Sequence, residues 1–159
     1  RFPDGRVLGV DDPTLGAVLT AACGMAIKVE SEDRDHSSHR DSAPLHLLTE
    51  ASIAWLQARL PEVAVDARRF RPNIVIAGVA TGLVEQEWLG RTIAIGDALI
   101  VKAARPTVRC VMTTQPQAEL GAAPEILRQL AADNDASLGV YADVLRPGSV
   151  RVGDALRFV

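Results

Sequence analysis

The spacing of apolar residues predicts an α+β chain with short strands, helices and a loop in its first part and mainly strand from Phe70 onward. Residues 6–10 alternate as a short strand does. Asp11-Asp12-Pro13-Thr14 then gives the acidic and proline signals of a helix start over 15–23, which Gly24 closes. Residues 26–29 are apolar and read as extended. Residues 31–41 carry no apolar position and read as a flexible loop. A second helix starts at Thr49, with Ser52 three residues on, Ile53, Leu56 and Leu60 at helical spacing, and Pro61 as its stop. From Phe70 the period shortens, and 73–76, 92–95, 99–102 and 108–113 read as strands, with a further helix over 123–131.

One internal echo bears on topology. Ile93-Ala94-Ile95-Gly96-Asp97-Ala98-Leu99-Ile100 resembles Val150-Arg151-Val152-Gly153-Asp154-Ala155-Leu156-Arg157. Glycine accepts the positive φ of tight turns and aspartate bonds nearby backbone, so each copy reads as a strand, a sharp turn and a paired strand. Several such hairpins predict a closed β-barrel.

The 159 residues and 48% apolar content suit one packed domain, and no apolar run is long enough to cross a membrane. The opening residues lack a secretory pattern, so a cytoplasmic location and no membrane partner are expected. A net charge of −3 excludes general nucleic-acid binding, which needs a basic footprint. Between 68 and 109, however, seven basic side chains (68, 69, 71, 91, 102, 105, 109) face three acidic ones (85, 87, 97). That excess reads either as an anion site with Arg71 and Arg109 as forks, or as a solvated face.

Two cysteines cannot form a disulfide framework. Cys23, at a helix end, is expected in the core. Cys110 follows Arg109, whose charge favours thiolate, the form that ligates soft metals; equally, a lone strand cysteine is often a small buried hydrophobe. His36, His39 and His46 lack the companions of a zinc site. Gly78 to Gly82 lacks the third glycine and the helix of a dinucleotide fingerprint and reads as a turn.

Taken together, Arg69-Phe70-Arg71-Pro72-Asn73-Ile74-Val75, then Glu87-Trp88, Ile95-Gly96-Asp97, Arg109-Cys110-Val111-Met112-Thr113-Thr114, Leu138-Gly139-Val140-Tyr141 and Gly148-Ser149-Val150-Arg151-Val152-Gly153-Asp154 resemble the ordered motifs of MOSC domains. Upstream, Pro44 to Ser52 is similar to the family's segment before its helix. The resemblance implies a mainly β fold with a few helices, a closed β-barrel of the MOSC type, formed as a single domain over 1–159 that lacks the N-terminal β-barrel segment of the reductase branch. It also implies a pyranopterin molybdenum cofactor (molybdopterin), with Cys110 as molybdenum ligand and catalytic residue, and with Arg71, Asn73, Thr49, Ser52 and Arg109 binding the cofactor. In the amidoxime-reducing branch such a site is an oxidoreductase for N-hydroxylated small molecules, fed by an electron-transfer protein. In the sulfurase branch the domain serves as a sulfur-carrier or cofactor-sulfuration module, and a non-catalytic cofactor-binding domain is a third reading. After Thr114 this chain has Gln115-Pro116-Gln117-Ala118-Glu119-Leu120-Gly121 where the family often shows V-D-P-x-T-G.

Overall fold

The computed structural model describes residues 1–2, 4–30, 43–78 and 81–159. The chain divides into two compact units, Arg1–Asp41 and Ser42–Val159. The loop expected over 31–41 lies outside the described residues.

In the first unit the predicted helix forms as α1, Leu15–Cys23. Asp12 Oδ1 accepts from the Thr14 amide at 2.8 Å and its hydroxyl at 2.6 Å, which shapes the turn into the helix. Gly24 closes it in the left-handed region at φ 69°, its amide donating to the Thr20 carbonyl. Residues 6–10 and 26–29 are not strands: among the described residues no segment pairs with them in a ladder, and the Ile27 amide instead donates to Thr20 Oγ1 at 2.9 Å. None of the α1 residues is buried, so Cys23, expected in a core, is exposed.

The second unit runs β1 (Leu45–Thr49), α2 (Glu50–Arg59), β2 (Ile74–Ile76), β3 (Thr92–Ile95), β4 (Leu99–Val108), α3 (Pro124–Asp133), β5 (Ser137–Arg146) and β6 (Leu156–Phe158). The strands form one sheet in the order β2-β1-β5-β4-β3-β6, antiparallel except for the parallel β1–β2 pair. Mainly β with a few helices is therefore correct, but the expected closed barrel is an open, curled half-barrel, because the edge strands β2 and β6 do not pair. A cavity of about 1130 Å³ lies in the seam between them, bordered by both edges, Trp88 and Asn73.

Both sheet faces are packed, as expected of strands with apolar residues on successive positions. Leu47, Ile93, Ile95, Val101 and Val140 fill the inside of the curl. Leu48 and Leu138 turn the other way and pack with Leu56, Phe70, Ile126 and Leu130 from the helical side.

Two local expectations change. The runs 99–102 and 108–113 are not separate strands: β4 continues to Val108 and the chain then enters a 3-10 turn, Val111–Thr114. The turn wins because the Thr113 and Thr114 hydroxyls donate back to the carbonyls of Cys110 (3.0 Å) and Val111 (2.7 Å), an alternative to the strand ladder that threonine offers. The first Gly-Asp turn joins β3 to β4 as a hairpin. The second only leads into β6, whose partner is β3 and not the run 150–152. The two turns meet: Gly96, at φ 60°, has no room for a Cβ, which would stand 2.6 Å from Asp154 Oδ2.

Candidate functional site

The motif Arg69 to Asn73 shapes one side of the site. Asp66 Oδ1 accepts from the Arg68 amide at 2.8 Å and starts a 3-10 turn, Ala67–Phe70. Arg71 ends that turn in the left-handed region at φ 52° and is exposed. Pro72 returns the chain to extended geometry, and Asn73 fastens it to β1: its amide donates to the His46 carbonyl at 2.9 Å and its Oδ1 accepts from the His46 amide at 2.7 Å. The Asn73 side-chain oxygen is thus committed within the protein, and its Nδ2 is the group left for a ligand.

Arg109 approaches from the end of β4. Its amide donates to the Ala136 carbonyl at 2.7 Å, and its Nη2 donates to the Phe70 carbonyl at 2.7 Å. The guanidinium carbon stands 5.6 Å from the Phe70 ring centre. Its Nε is buried without a hydrogen-bond partner among the described residues. Burial presses the guanidinium below its ordinary pKa, with the nearby Tyr141 and Cys110 opposing. Among the described residues neither Arg71 nor Arg109 enters an ion pair. Cys110, next in the chain, is exposed and outside any disulfide, which excludes the buried-hydrophobe reading.

His46 sits beside this cation. The residue is 5% exposed, its ring lies 5.9 Å from the Tyr141 ring, and Nε2 has no hydrogen-bond partner among the described residues. Burial first, then the charge of Arg109, push its pKa down to about 4, so the ring is neutral near pH 7. Space for it comes from Gly139 at φ 82°, where a Cβ would collide with the ring and come within 2.8 Å of the Leu47 carbonyl.

Thr49 and Ser52 belong to a different network. The Thr49 hydroxyl accepts from the Ser52 amide at 3.0 Å as the N-cap of α2. Both hydroxyls then donate to Glu85 Oε2 at 2.7 Å. Glu85 is fully buried and its Oε1 has no partner among the described residues. The start of α2 provides the positive helix end that suits a buried carboxylate.

The structure therefore ties Asn73 to the backbone of His46, fixes Arg109 on the Phe70 carbonyl with Cys110 next to it in the chain, leaves Arg71 exposed at the end of the 3-10 turn, and joins Thr49 and Ser52 through Glu85. The basic excess resolves into separate fates. Arg68 pairs with Asp66 and Glu119. Arg69, 3% exposed, donates to the carbonyls of Ala64 (3.0 Å) and Gly121 (2.8 Å). Arg91 and Arg105 lie over the rings of Phe158 and Tyr141. Asn73 borders the seam cavity, whereas Arg71, Arg109 and Cys110 do not. Sequence reasoning missed His46, weighed only as a zinc ligand, and Glu85, counted only as a charge. For Glu85 the available signal was a carboxylate set among Leu83, Val84 and Trp88. Among the described residues no cluster of histidine, cysteine and carboxylates suits a metal, and no helix is long and apolar enough to cross a membrane.

Residues 33–157 match the MOSC domain. The chain is 32% identical over 141 residues to mitochondrial amidoxime-reducing component 1 of Mus musculus, covering 80% of this chain and 40% of that protein. With the Homo sapiens protein it shares 32% identity over 134 residues, covering 76% and 38%. It thus spans about two fifths of the length of these relatives. Among solved structures, YiiM from Escherichia coli shares the fold at TM-score 0.54 and 18% identity, over 74% of this chain and 54% of that one.

Proposed function

The chain belongs to the MOSC domain family, and from that premise we propose that residues 43–159 carry a molybdenum cofactor and act as an oxidoreductase on N-hydroxylated small molecules. The observation that carries this reading is the pairing of an exposed Cys110 thiol with the adjacent Arg109, a partly buried guanidinium without an ion-pair partner among the described residues. A cation left without a carboxylate inside a protein is suited to an anionic ligand, and an exposed thiol beside it to a soft metal. The residues fit the group: Arg109 Nε is an orphaned buried donor, Asn73 retains an unused amide nitrogen, and Arg71 points its charge to solvent.

When bound, the cofactor supplies the two-electron chemistry; the protein supplies position and electrostatics. Cys110 holds the metal through its sulfur. Arg109, fixed by the Phe70 carbonyl, and Arg71 hold the anionic part of the pterin group. An electron-transfer protein delivers the reducing equivalents. The relatives named for amidoxime reduction support this branch over the sulfur-carrier one.

The test uses the chain expressed with the cofactor supply of a competent host. Cys110→Ser is expected to abolish reduction of an N-hydroxylated amidine while the unfolding midpoint is unchanged. Arg71→Ala is expected to weaken cofactor retention by one to two decades, the loss of a charged hydrogen bond worth about 1.5 to 3 kcal/mol. Full activity in Cys110→Ser would remove the ligand role, and persulfide on Cys110 with no retained pterin would favour the sulfur-carrier module.

A further inference from the structure

We propose that Arg69 is a positioning residue for Cys110: its guanidinium and the carbonyl of the next residue, Phe70, clamp the two ends of the turn that carries the thiol onto the turn that carries Arg71. The clamp fixes the spacing of thiol and cation for one ligand. The inference rests on the cofactor reading above.

Backbone carbonyls build the clamp. Cys110 opens and Gln115 closes the 3-10 turn Val111–Thr114. At its start, Arg109 Nη2 donates to the Phe70 carbonyl at 2.7 Å. At its end, Arg69 Nη1 donates to the Gln115 carbonyl at 3.5 Å and Nη2 donates to the Gly121 carbonyl at 2.8 Å. Gly121 is coupled to Gln115 by a tight loop, in which the Gln117 and Leu120 amides each donate to the other's carbonyl, at 2.9 and 2.7 Å. Consecutive residues 69 and 70 thus hold both ends of the segment 109–115, and Arg71 follows them in the chain. The segment's other backbone ties, the Arg109 amide to the Ala136 carbonyl and the Ala123 amide to the Thr114 carbonyl, run to α3 and its flanks. Among the described residues, its hydrogen bonds to the Arg71 turn are those of the clamp. The solvent side adds no support, since Val111 and Met112 are exposed.

The chemistry of the position calls for arginine. Arg69 is 3% exposed and, among the described residues, enters no ion pair. Its desolvation is offset by three carbonyls, the third being Ala64, which accepts from Nε at 3.0 Å. An apolar side chain would fill the same space without that cost. What a planar fork adds is three donors on three different nitrogens, which hold three separate points of backbone at fixed relative positions; a lysine ammonium is a single point charge and cannot span them.

The experiment compares Arg69→Lys and Arg69→Met with the wild-type residue in the full chain by two readouts. In the cofactor-free chain carrying Cys23→Ser, a nitroxide on Cys110 reports the motion of the turn through its electron paramagnetic resonance line shape. Both variants are expected to show a fast-motion component that Arg69 suppresses. In the chain supplied with cofactor, pterin affinity at equilibrium is expected to fall about tenfold in both, and Arg69→Lys/Cys110→Ser is expected to bind no more weakly than Cys110→Ser, because residues acting as one unit do not add. Full affinity in Arg69→Lys would assign the effect to charge and overturn the clamp. An unchanged line shape or additive losses would also overturn it. If neither variant folds, amide hydrogen exchange in the wild type decides: protection of the Thr113 and Gln115 amides is expected to match that of the Arg69 and Arg71 amides within about tenfold, as for segments that open together, and a larger difference overturns the clamp. A wild-type chain that retains no pterin removes the cofactor reading and this role with it; the line shape is read without cofactor, so the two failures are distinct.

Discussion

At the scale of single residues, buried polar groups define what each side chain does. Glu85 accepts two hydroxyls in a site closed to water, so Glu85→Ala leaves Thr49 and Ser52 without their acceptor. The expected destabilisation is about 2 to 4 kcal/mol in urea unfolding, from two orphaned buried hydroxyls at about 1 to 3 kcal/mol each and partial relaxation. Glu85→Gln should cost less, since the amide oxygen still accepts. His46 makes stability depend on pH. Its folded pKa of about 4 lies below the ordinary 6.5, so between these values the unfolded chain binds a proton that the folded chain refuses. Stability is therefore full above about pH 6.5 and falls as pH drops toward 4, by up to about 1.4 kcal/mol per unit. Unfolding curves across that window should slope in the wild type and flatten in His46→Leu. These roles were not legible in the sequence, because an unpaired histidine or glutamate shows its partners only once β1, α2 and the turn around residue 85 are brought together.

At the scale of elements, local signals succeeded where the chain's own neighbours decide structure. Thr49 with Ser52 three residues on fixed the start of α2, Gly24 ended α1, and Gly96 turned β3 into β4. They failed where distant partners decide. The central strands β1 and β5 went unrecognised: β1 is five residues that run straight into a helix, and β5 carries Gly139 and a mid-strand irregularity opposite β4. Val108 to Thr113 looked like a strand by composition, yet two threonine hydroxyls close it as a turn. Gly139 gives the element-scale prediction. Gly139→Ala meets both a positive φ of 82° and the Leu47 carbonyl at 2.8 Å from the new Cβ. Its unfolding free energy should fall by about 2 kcal/mol or more, through strain of about 1 to 3 kcal/mol plus displacement of His46.

At the scale of the whole molecule, the ordered motifs were more informative than any periodicity. Arg71, Asn73, Arg109 and Cys110 lie up to 39 positions apart by their numbering, yet the fold ties Asn73 to β1 and Arg109 to the carbonyl of Phe70, the residue before Arg71, with Cys110 just past the end of β4. The family and the mainly β fold were legible from those motifs. Closure of the barrel was not, since it depends on whether β2 and β6 find each other, and three-residue edge strands carry little pairing information. The proposed function makes Cys110 the protein's ligand to molybdenum. X-ray absorption at the molybdenum edge of the cofactor-loaded chain reads that ligand out. The wild type should show one more sulfur neighbour than Cys110→Ser at equal metal content; identical sulfur shells in the two proteins would contradict it.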